Sequence, residues 1–352
     1  MRNKFFTGRD ELLKQLYTNF VGGERIQAIN GFGGLGKTQA AVEYAYRYHE
    51  SYKIVLWGNA HSREPLVSDF AAMARSLNLP EKNADDQSKA VVAVKRWFEK
   101  SAGWLLILDS ADDLAMAREF IPSSEAGHVL LTSRARNTGA LAARNSIEEM
   151  GRQEGALFLL RRLKMLKEGE PLEAAAVNLR TQAEILSETL GGLPLALDQA
   201  AAYVETKPST LEEYQDHYRS ERTTLLSDRG ALADGHPESV AITFSLAFKR
   251  VAETNPAAAN LLCLCAFLDA DAIPEELFSI GGEELGENLS AIATNPVSLI
   301  GTIEEAGRYS LLRRDPEERM VYLHRLVQTT LRDGMDAKTR REWAERAVRA
   351  IN

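Results

Sequence analysis

The segment Gly31–Thr38 reads Gly-Phe-Gly-Gly-Leu-Gly-Lys-Thr and matches the pattern G-x-x-x-x-G-K-[ST] at every position. Arg25–Asn30 before it alternates as a short strand does, and Gln39–Tyr48 after it carries apolar residues at helical spacing. In that context the backbone N–H groups of the loop and the start of the helix point at one anion. The pattern therefore predicts a phosphate-binding loop, and the flanking elements disfavour an ordinary glycine-rich turn.

Two side chains at the end of this loop carry the predicted chemistry. The Lys37 ammonium would reach the β- and γ-phosphates of a nucleotide as a point charge, and the Thr38 hydroxyl would bind Mg²⁺. We expect the loop glycines to be necessary because a side chain there would block the approach of the phosphates.

Three further segments are typical of strands, namely Lys53–Gly58, Trp104–Asp109 and His128–Arg134, and helical patterns separate them. This alternation predicts a parallel sheet with a ligand at the carboxyl ends of its strands. Asp109 would bind Mg²⁺ there. Arg134 would sense a γ-phosphate, and a surface salt bridge is the alternative for this residue.

The residues after Asp109 bear on ATP hydrolysis. Ser110 stands where ATPases that hydrolyse quickly carry a second acid, so slow hydrolysis is expected. Asp112 and Asp113 come too late to replace that acid directly, and we interpret them as a helix N-cap and a first-turn charge.

From Gly155 onward the sequence predicts helices, and a polar stretch, Lys207–Pro237, is expected to contain a domain boundary. A strand, turn and strand over Tyr309–Leu323 then predict a hairpin within a group of helices, which is typical of a winged helix.

Composition narrows the function classes. The 352 residues carry a net charge of −8, which gives no overall attraction for nucleic acid or an anionic membrane. No apolar run approaches the ~18 residues of a membrane span, so a cytoplasmic protein is expected. Cys263 and Cys265 lie in one apolar run and are interpreted as buried hydrophobic residues, and the scattered histidines lack the spacing of zinc ligands.

Taken together, these segments resemble the NB-ARC class of signal-transduction ATPases, found in plant resistance proteins, the apoptosome scaffold and many bacterial and fungal receptors. The residues of these motifs most resemble those of the receptors that carry tetratricopeptide repeats. The segments that match the motifs of the family are Phe5–Arg9, Gly31–Thr38, Leu105–Asp109, Thr132–Arg134, Gly192–Leu195 and Leu323–Arg325.

The resemblance implies a role for each motif. Phe5–Arg9 would line the adenine site, Pro194 would pack near the adenine and ribose, and His324 would contact the β-phosphate of ADP. Arg325 stands where the family carries an aspartate. The implied nucleotide contacts are Phe6, Gly8, Arg9, Gly33, Gly34, Leu35, Gly36, Lys37, Thr38, Gln39, Pro194 and His324, the Mg²⁺ ligands are Thr38 and Asp109, and the catalytic groups are Lys37, Asp109 and Arg134.

The resemblance also implies a fold class and domain order. Residues 1–150 would form an α/β P-loop NTPase domain, a parallel sheet with helices on both faces. Residues 151–237 would form an all-α helical domain, and residues 238–352 a winged-helix domain.

The function implied is a molecular switch in signalling or defence, such as innate immunity. ADP would hold it closed, and exchange for ATP would open it for self-association, with the γ-phosphate and Mg²⁺ acting through Arg134 and Asp109. We expect the effector and repeat sensor domains to lie outside this chain, as for an excised core, and nucleic acid to be an improbable partner. The alternatives are a winged-helix DNA-binding transcription regulator controlled by ATP, supported by Arg313, Arg314, Arg319 and Arg325, and a housekeeping ATPase, disfavoured by Ser110.

Overall fold

The structure is a computed structural model. It describes residues 2–31, 33–82, 86–135, 139, 141–206, 209–229, 238–270, 272–280, 285–293, 295–309, 311–323 and 325–351. The chain divides into two compact units, Met1–Glu149 and Met150–Asn352.

A five-stranded parallel sheet forms the centre of the first unit. Its strands are β1 (Ile26–Asn30), β2 (Ile54–Asn59), β3 (Trp104–Asp109), β4 (His128–Ser133) and β5 (Ala143–Ser146). They lie in the order β2-β3-β4-β1-β5, and every neighbouring pair is parallel. The predicted parallel sheet is confirmed, and the carboxyl ends of β1, β3 and β4 meet at one edge.

Helices cover both faces of this sheet. They are α1 (Asp10–Val21), α2 (Lys37–Arg47), α3 (Arg63–Ser76), α4 (Gln87–Lys100) and α5 (Leu114–Phe120). On one face, Ala28 of β1 belongs to an apolar cluster with Phe70 of α3 and Phe98 of α4. On the other face, the Gln27 side chain donates a hydrogen bond to the Leu16 carbonyl of α1 at 2.7 Å. Adjacent residues of a strand point to opposite faces, and helices cover both faces. For this reason the central strands are nearly continuous apolar runs in the sequence.

The edge strand β5 is an element that the sequence analysis does not predict. Its residues Ala-Arg-Asn-Ser show no apolar alternation, so no local signal marks a strand. The strand forms because it pairs with β1 through the backbone and because Asn145 donates a hydrogen bond to the buried Gln27 amide oxygen at 3.1 Å.

The second unit is mainly helical. Its helices are α6 (Arg152–Arg162), α7 (Val177–Thr189), α8 (Pro194–Thr206), α9 (Leu211–Arg229), α10 (Glu238–Thr254), α11 (Pro256–Cys265), α12 (Glu275–Ile280), α13 (Glu287–Ala293), α14 (Pro296–Arg308), α15 (Arg325–Asp333) and α16 (Ala337–Ile351). A small antiparallel sheet in the order β6-β8-β7 contains β6 (Ile273–Pro274), β7 (Leu312–Asp315) and β8 (Met320–Leu323). The last two strands form the predicted hairpin. Within the described residues, no helix has both the length and the apolar character needed to cross a membrane.

Helix α9 lies within residues 207–237, which the sequence predicts only as a polar stretch that contains a domain boundary. Leu211, Tyr214 and Tyr218 are buried at helical spacing and hold the helix against its neighbours. The charged residues between them dominate the local composition, and for this reason the short apolar stripe is not recognised in the sequence.

The two cysteines lie in α11 and are buried and free, in agreement with their interpretation as small core residues. Burial raises the pKa of the Cys263 thiol to about 12, so the thiol stays protonated and weakly nucleophilic.

Candidate nucleotide-binding site

The glycine-rich loop joins β1 to α2, as the strand–loop–helix context requires. Gly34 and Gly36 have φ angles of 83° and 85°, in the left-handed region that favours glycine. A Cβ on Gly31 would lie 2.7 Å from the Ile147 carbonyl oxygen. Gly36 is the N-cap of α2, and no side chain of the described residues caps this helix there. The first N–H groups of α2 can therefore bind an anion.

The Lys37 side chain folds back along the loop, and its ammonium donates a hydrogen bond to the Gly31 carbonyl at 2.9 Å. Burial lowers the pKa of Lys37, whereas the charge of Asp112 raises it, that of Arg134 lowers it and that of Asp109 raises it. Four charged groups from three separate segments of the sequence thus share the carboxyl edge of the sheet.

Asp109 is held by two threonine hydroxyls. Thr38 donates to the carboxylate of Asp109 at 2.9 Å, and Thr132 of β4 donates to the same oxygen. The Thr132 oxygen also accepts the backbone N–H of Ser110 at 2.8 Å. A hydroxyl and a carboxylate are the hard oxygen ligands that Mg²⁺ prefers, so Thr38 and Asp109 fit the metal that was predicted.

Arg134 follows the end of β4 and pairs with Asp112. Its backbone N–H and its Nε each donate to the Asp112 carboxylate at 2.6 Å. Burial raises the pKa of Asp112, but the hydrogen bonds and charge of Arg134 outweigh it and lower the pKa below the usual range. The expectation for the two aspartates is half right: Asp113 caps α5 by accepting the Met116 N–H at 3.0 Å, whereas Asp112 belongs to the site.

The predicted adenine-site residues Phe6, Gly8 and Arg9 precede α1. Gly8 and Arg9 have positive φ angles of 70° and 63° and turn the chain into that helix. The Arg47 guanidinium of α2 lies 5.9 Å from the centre of the Phe6 ring. Arg47 also donates to the buried Glu43 at 2.8 Å. The N-terminal motif is therefore anchored to the helix that follows the glycine-rich loop.

The remaining predicted site residues are distributed as follows. Leu35 is buried, Gln39 is exposed, and Gly33 lies in the turn of the loop. Pro194 belongs to the second unit, where it is the first residue of α8. Phe32 and the predicted phosphate contact His324 lie outside the described residues.

Sequence reasoning missed two residues of this arrangement. The sequence marks Thr132 only as part of the Thr132–Arg134 motif and predicts Asp112 as part of a helix start. A polar residue at the end of a buried strand is the signal that marks Thr132, since such a side chain needs a buried partner.

Comparison with known proteins finds relatives in both halves of the chain. Residues 249–340 match a family described as a domain of unknown function, DUF7779. A nucleotide-binding leucine-rich repeat (NLR)-like protein of Hyaloscypha variabilis is 27% identical over 388 residues, which cover 99% of this chain and 37% of that protein. The regulatory protein AfsR of Streptomyces griseus is 27% identical over 208 residues, or 56% of this chain and 20% of AfsR. The chain thus spans well under half the length of these relatives.

Solved structures with a similar course of the chain are a Walker-type ATPase of Pyrococcus abyssi and Cdc6p of Pyrobaculum aerophilum. The first is 11% identical with a TM-score of 0.45 and covers 94% of this chain and 97% of its own. The second is 12% identical with a TM-score of 0.43, at 94% and 95% coverage. The glycine-rich loop is the motif of a P-loop ATPase, and the NLR-like relative aligns along almost the entire sequence. The predicted resemblance is confirmed: this chain is similar to the nucleotide-binding core of NB-ARC-type P-loop ATPases.

Proposed function

We propose that this chain is the nucleotide-dependent switch of an NB-ARC-type receptor and binds ADP or ATP with Mg²⁺. The observation that carries the proposal is the hydrogen bond of 2.9 Å between Thr38 at the end of the glycine-rich loop and Asp109 at the end of β3. A hydroxyl and a carboxylate side by side, near Lys37, are the two types of oxygen ligand that hold Mg²⁺ in P-loop ATPases, and this supports the proposal.

The residues of the first unit divide the work. When bound, Mg²⁺ neutralises charge on the β- and γ-phosphates. Lys37 exchanges its hydrogen bond to the Gly31 carbonyl for phosphate oxygens. Asp109, whose carboxylate accepts the Thr132 hydroxyl, would bind Mg²⁺. Arg134 supplies a charge that attracts the γ-phosphate of ATP and has no such partner in ADP. This difference matters because a ligand shifts a conformational equilibrium only through different affinities for the two states.

Hydrolysis in this proposal is slow. Ser110 follows Asp109 directly, with a positive φ of 59° and its N–H bound to Thr132. A hydroxyl is a poor substitute for the carboxylate that acts on the attacking water as general base, a contribution of typically ~10²–10⁴-fold. ATP would therefore persist long enough to define a signalling state.

The proposal extends to domain order and partners. Residues 1–150 bind the nucleotide, 151–237 form the helical domain and 238–352 form a winged-helix domain. ADP favours a closed form, and ATP favours an open form that self-associates. Effector and repeat sensor domains outside this chain would be its partners in signalling.

The test combines nucleotide identification with measurement of molar mass. The purified protein should release an adenine nucleotide on denaturation, and light scattering should give a larger mass with Mg²⁺ and a non-hydrolysable ATP analogue than with ADP. Lys37→Ala should neither release an adenine nucleotide nor change its mass with the analogue. Lys89→Ala, a change at an exposed lysine, is the control and should retain both properties. The absence of adenine-nucleotide binding would refute the site, and equal masses in ADP and the analogue would refute the switch.

A further inference from the structure

The ion pair between Asp112 and Arg134 is unusually well constrained for a pair at a strand end. One carboxylate accepts the Arg134 backbone N–H and Nε at 2.6 Å each, and the Ser133 hydroxyl at 3.3 Å. The backbone around Asp112 is fixed as well, because the Asp112 N–H donates to the Ser110 carbonyl at 2.8 Å and the Ala111 N–H donates to the Thr132 carbonyl at 2.8 Å.

The pairing uses only one edge of the guanidinium. Asp112 accepts the hydrogen bond of the Nε, and among the described residues no hydrogen bond or ion pair engages the terminal Nη groups of Arg134. The Arg134 side chain is 58% exposed, whereas that of Asp112 is 27% exposed. A guanidinium can bind one anion through Nε and present its remaining N–H groups to a second anion, because its donors diverge in one plane.

We propose that Asp112 is a positioning residue that holds Arg134 in the orientation required to bind a γ-phosphate, and that it thereby sets the preference of this chain for ATP over ADP. The inference rests on the proposed function. Arginine has many rotamers of similar energy, and a carboxylate that binds both its main chain and its Nε removes most of that freedom before the ligand arrives. The resulting gain in affinity is specific to ATP because ADP has no γ-phosphate.

The opposite role for Asp112 makes a different prediction. The Asp112 carboxylate, which lies near Lys37, would in that role compete with the γ-phosphate for Arg134 and repel the γ-phosphate. Removal of a competitor would raise the affinity for ATP, whereas removal of a positioning residue would lower it. The sign of the change therefore decides between the two roles.

The experiment measures the dissociation constants of Mg·ADP and a non-hydrolysable Mg·ATP analogue for the wild type and for Asp112→Ala. We expect the ratio that favours ATP to fall by about tenfold, which corresponds to 1.4 kcal/mol, with little change for ADP. The matched control is Asp113→Ala, which removes the neighbouring carboxylate and the cap of α5. This control should lower stability but leave the ratio unchanged, so a purely structural effect is separated from positioning.

Arg134→Ala completes the design. Asp112→Ala should cause no further loss of ATP preference in the Arg134→Ala background, because the first residue acts through the second. If Asp112→Ala does not fold, Asp112→Asn should show the same loss, because the Arg134 backbone N–H and Nε donate to different carboxylate oxygens and the amide NH₂ that replaces one of these oxygens cannot accept a hydrogen bond. An unchanged or increased ATP preference in the aspartate variants would overturn the inference. An unchanged preference in Arg134→Ala would instead overturn the proposed role of Arg134.

Discussion

Thr132 joins two elements of the nucleotide-binding site, and its hydroxyl can be removed with little change in shape. In the variant Thr132→Val, Asp109 loses one of its two hydroxyl donors, and the Ser110 N–H loses its acceptor. Valine has nearly the volume of threonine, so the substitution leaves no cavity at a side chain that is 1% exposed.

The magnitude follows from the two hydrogen bonds. A hydrogen bond to a charged group contributes about 1.5–3 kcal/mol, and a neutral one about 0.5–1.5 kcal/mol. Thr132→Val should therefore lower the free energy of unfolding of the first unit by about 2–4 kcal/mol. Thr132→Ser keeps both hydrogen bonds and loses only a buried methyl group, a change that costs about 0.5–1.5 kcal/mol in the comparable replacement of isoleucine by valine.

Urea unfolding followed by tryptophan fluorescence measures this difference. Trp57, Trp97 and Trp104 belong to the first unit, so its unfolding dominates the signal. The affinity gained for ATP on addition of Mg²⁺ should also fall in Thr132→Val and remain in Thr132→Ser, because the orientation of Asp109 depends on the hydroxyl. If the valine variant is as stable as the serine variant, the hydrogen bonds of Thr132 do not support the site and the reasoning is wrong.

Three further substitutions test the proposed site residues. Lys37→Ala should abolish tight binding of ADP and ATP in calorimetry and should remove the stabilisation by ligand, about 2.7 kcal/mol at a hundredfold excess over Kd. Unchanged affinity would contradict the site. Ser110→Glu should raise the rate of phosphate release without weakening nucleotide binding, and a wild type that already turns over several ATP per second would contradict slow hydrolysis. If His324 binds the β-phosphate as the resemblance implies, His324→Ala should speed ADP dissociation by about tenfold or more, because a hydrogen bond to a charged group contributes about 1.5–3 kcal/mol. Equal dissociation rates would contradict this role of His324.

The parts of the fold that could be predicted are those with a strong local signal. The glycine-rich loop, the apolar runs of β3 and β4 and the hairpin of β7 and β8 each carry a pattern of a few residues that has one common structural meaning. The edge strand β5 and the helix α9 lack such a pattern. These two elements are stabilised by contacts with residues distant in the sequence, such as the hydrogen bond between Asn145 and Gln27. A pattern of neighbouring residues does not reveal such contacts.

The same distinction applies within the site. Lys37, Thr38 and Asp109 belong to motifs with fixed spacing, so the sequence alone predicts their roles in binding phosphate and Mg²⁺. Asp112 has no such motif, and its place beside Arg134 depends on how the chain leaves β3. Ser110 adopts a left-handed conformation, with φ of 59°, and the following residue pairs with β4. This bend brings a carboxylate back to the strand end, and a positive φ at a serine is not visible in the sequence.

The arginines of the β7–β8 hairpin bear on the alternative of a DNA-binding regulator. Arg314 forms a bidentate pair with the buried Glu275 of α12, at 2.5 and 3.1 Å. Arg313 lies over the ring of Tyr322, 4.2 Å from its centre. Because non-specific DNA affinity grows with the number of phosphates that a protein neutralises, a guanidinium that must first leave a protein partner contributes less to it. Two of the four arginines that motivated this alternative therefore stabilise the hairpin itself, and basic residues in this segment are weaker support for DNA binding than their number in the sequence implies.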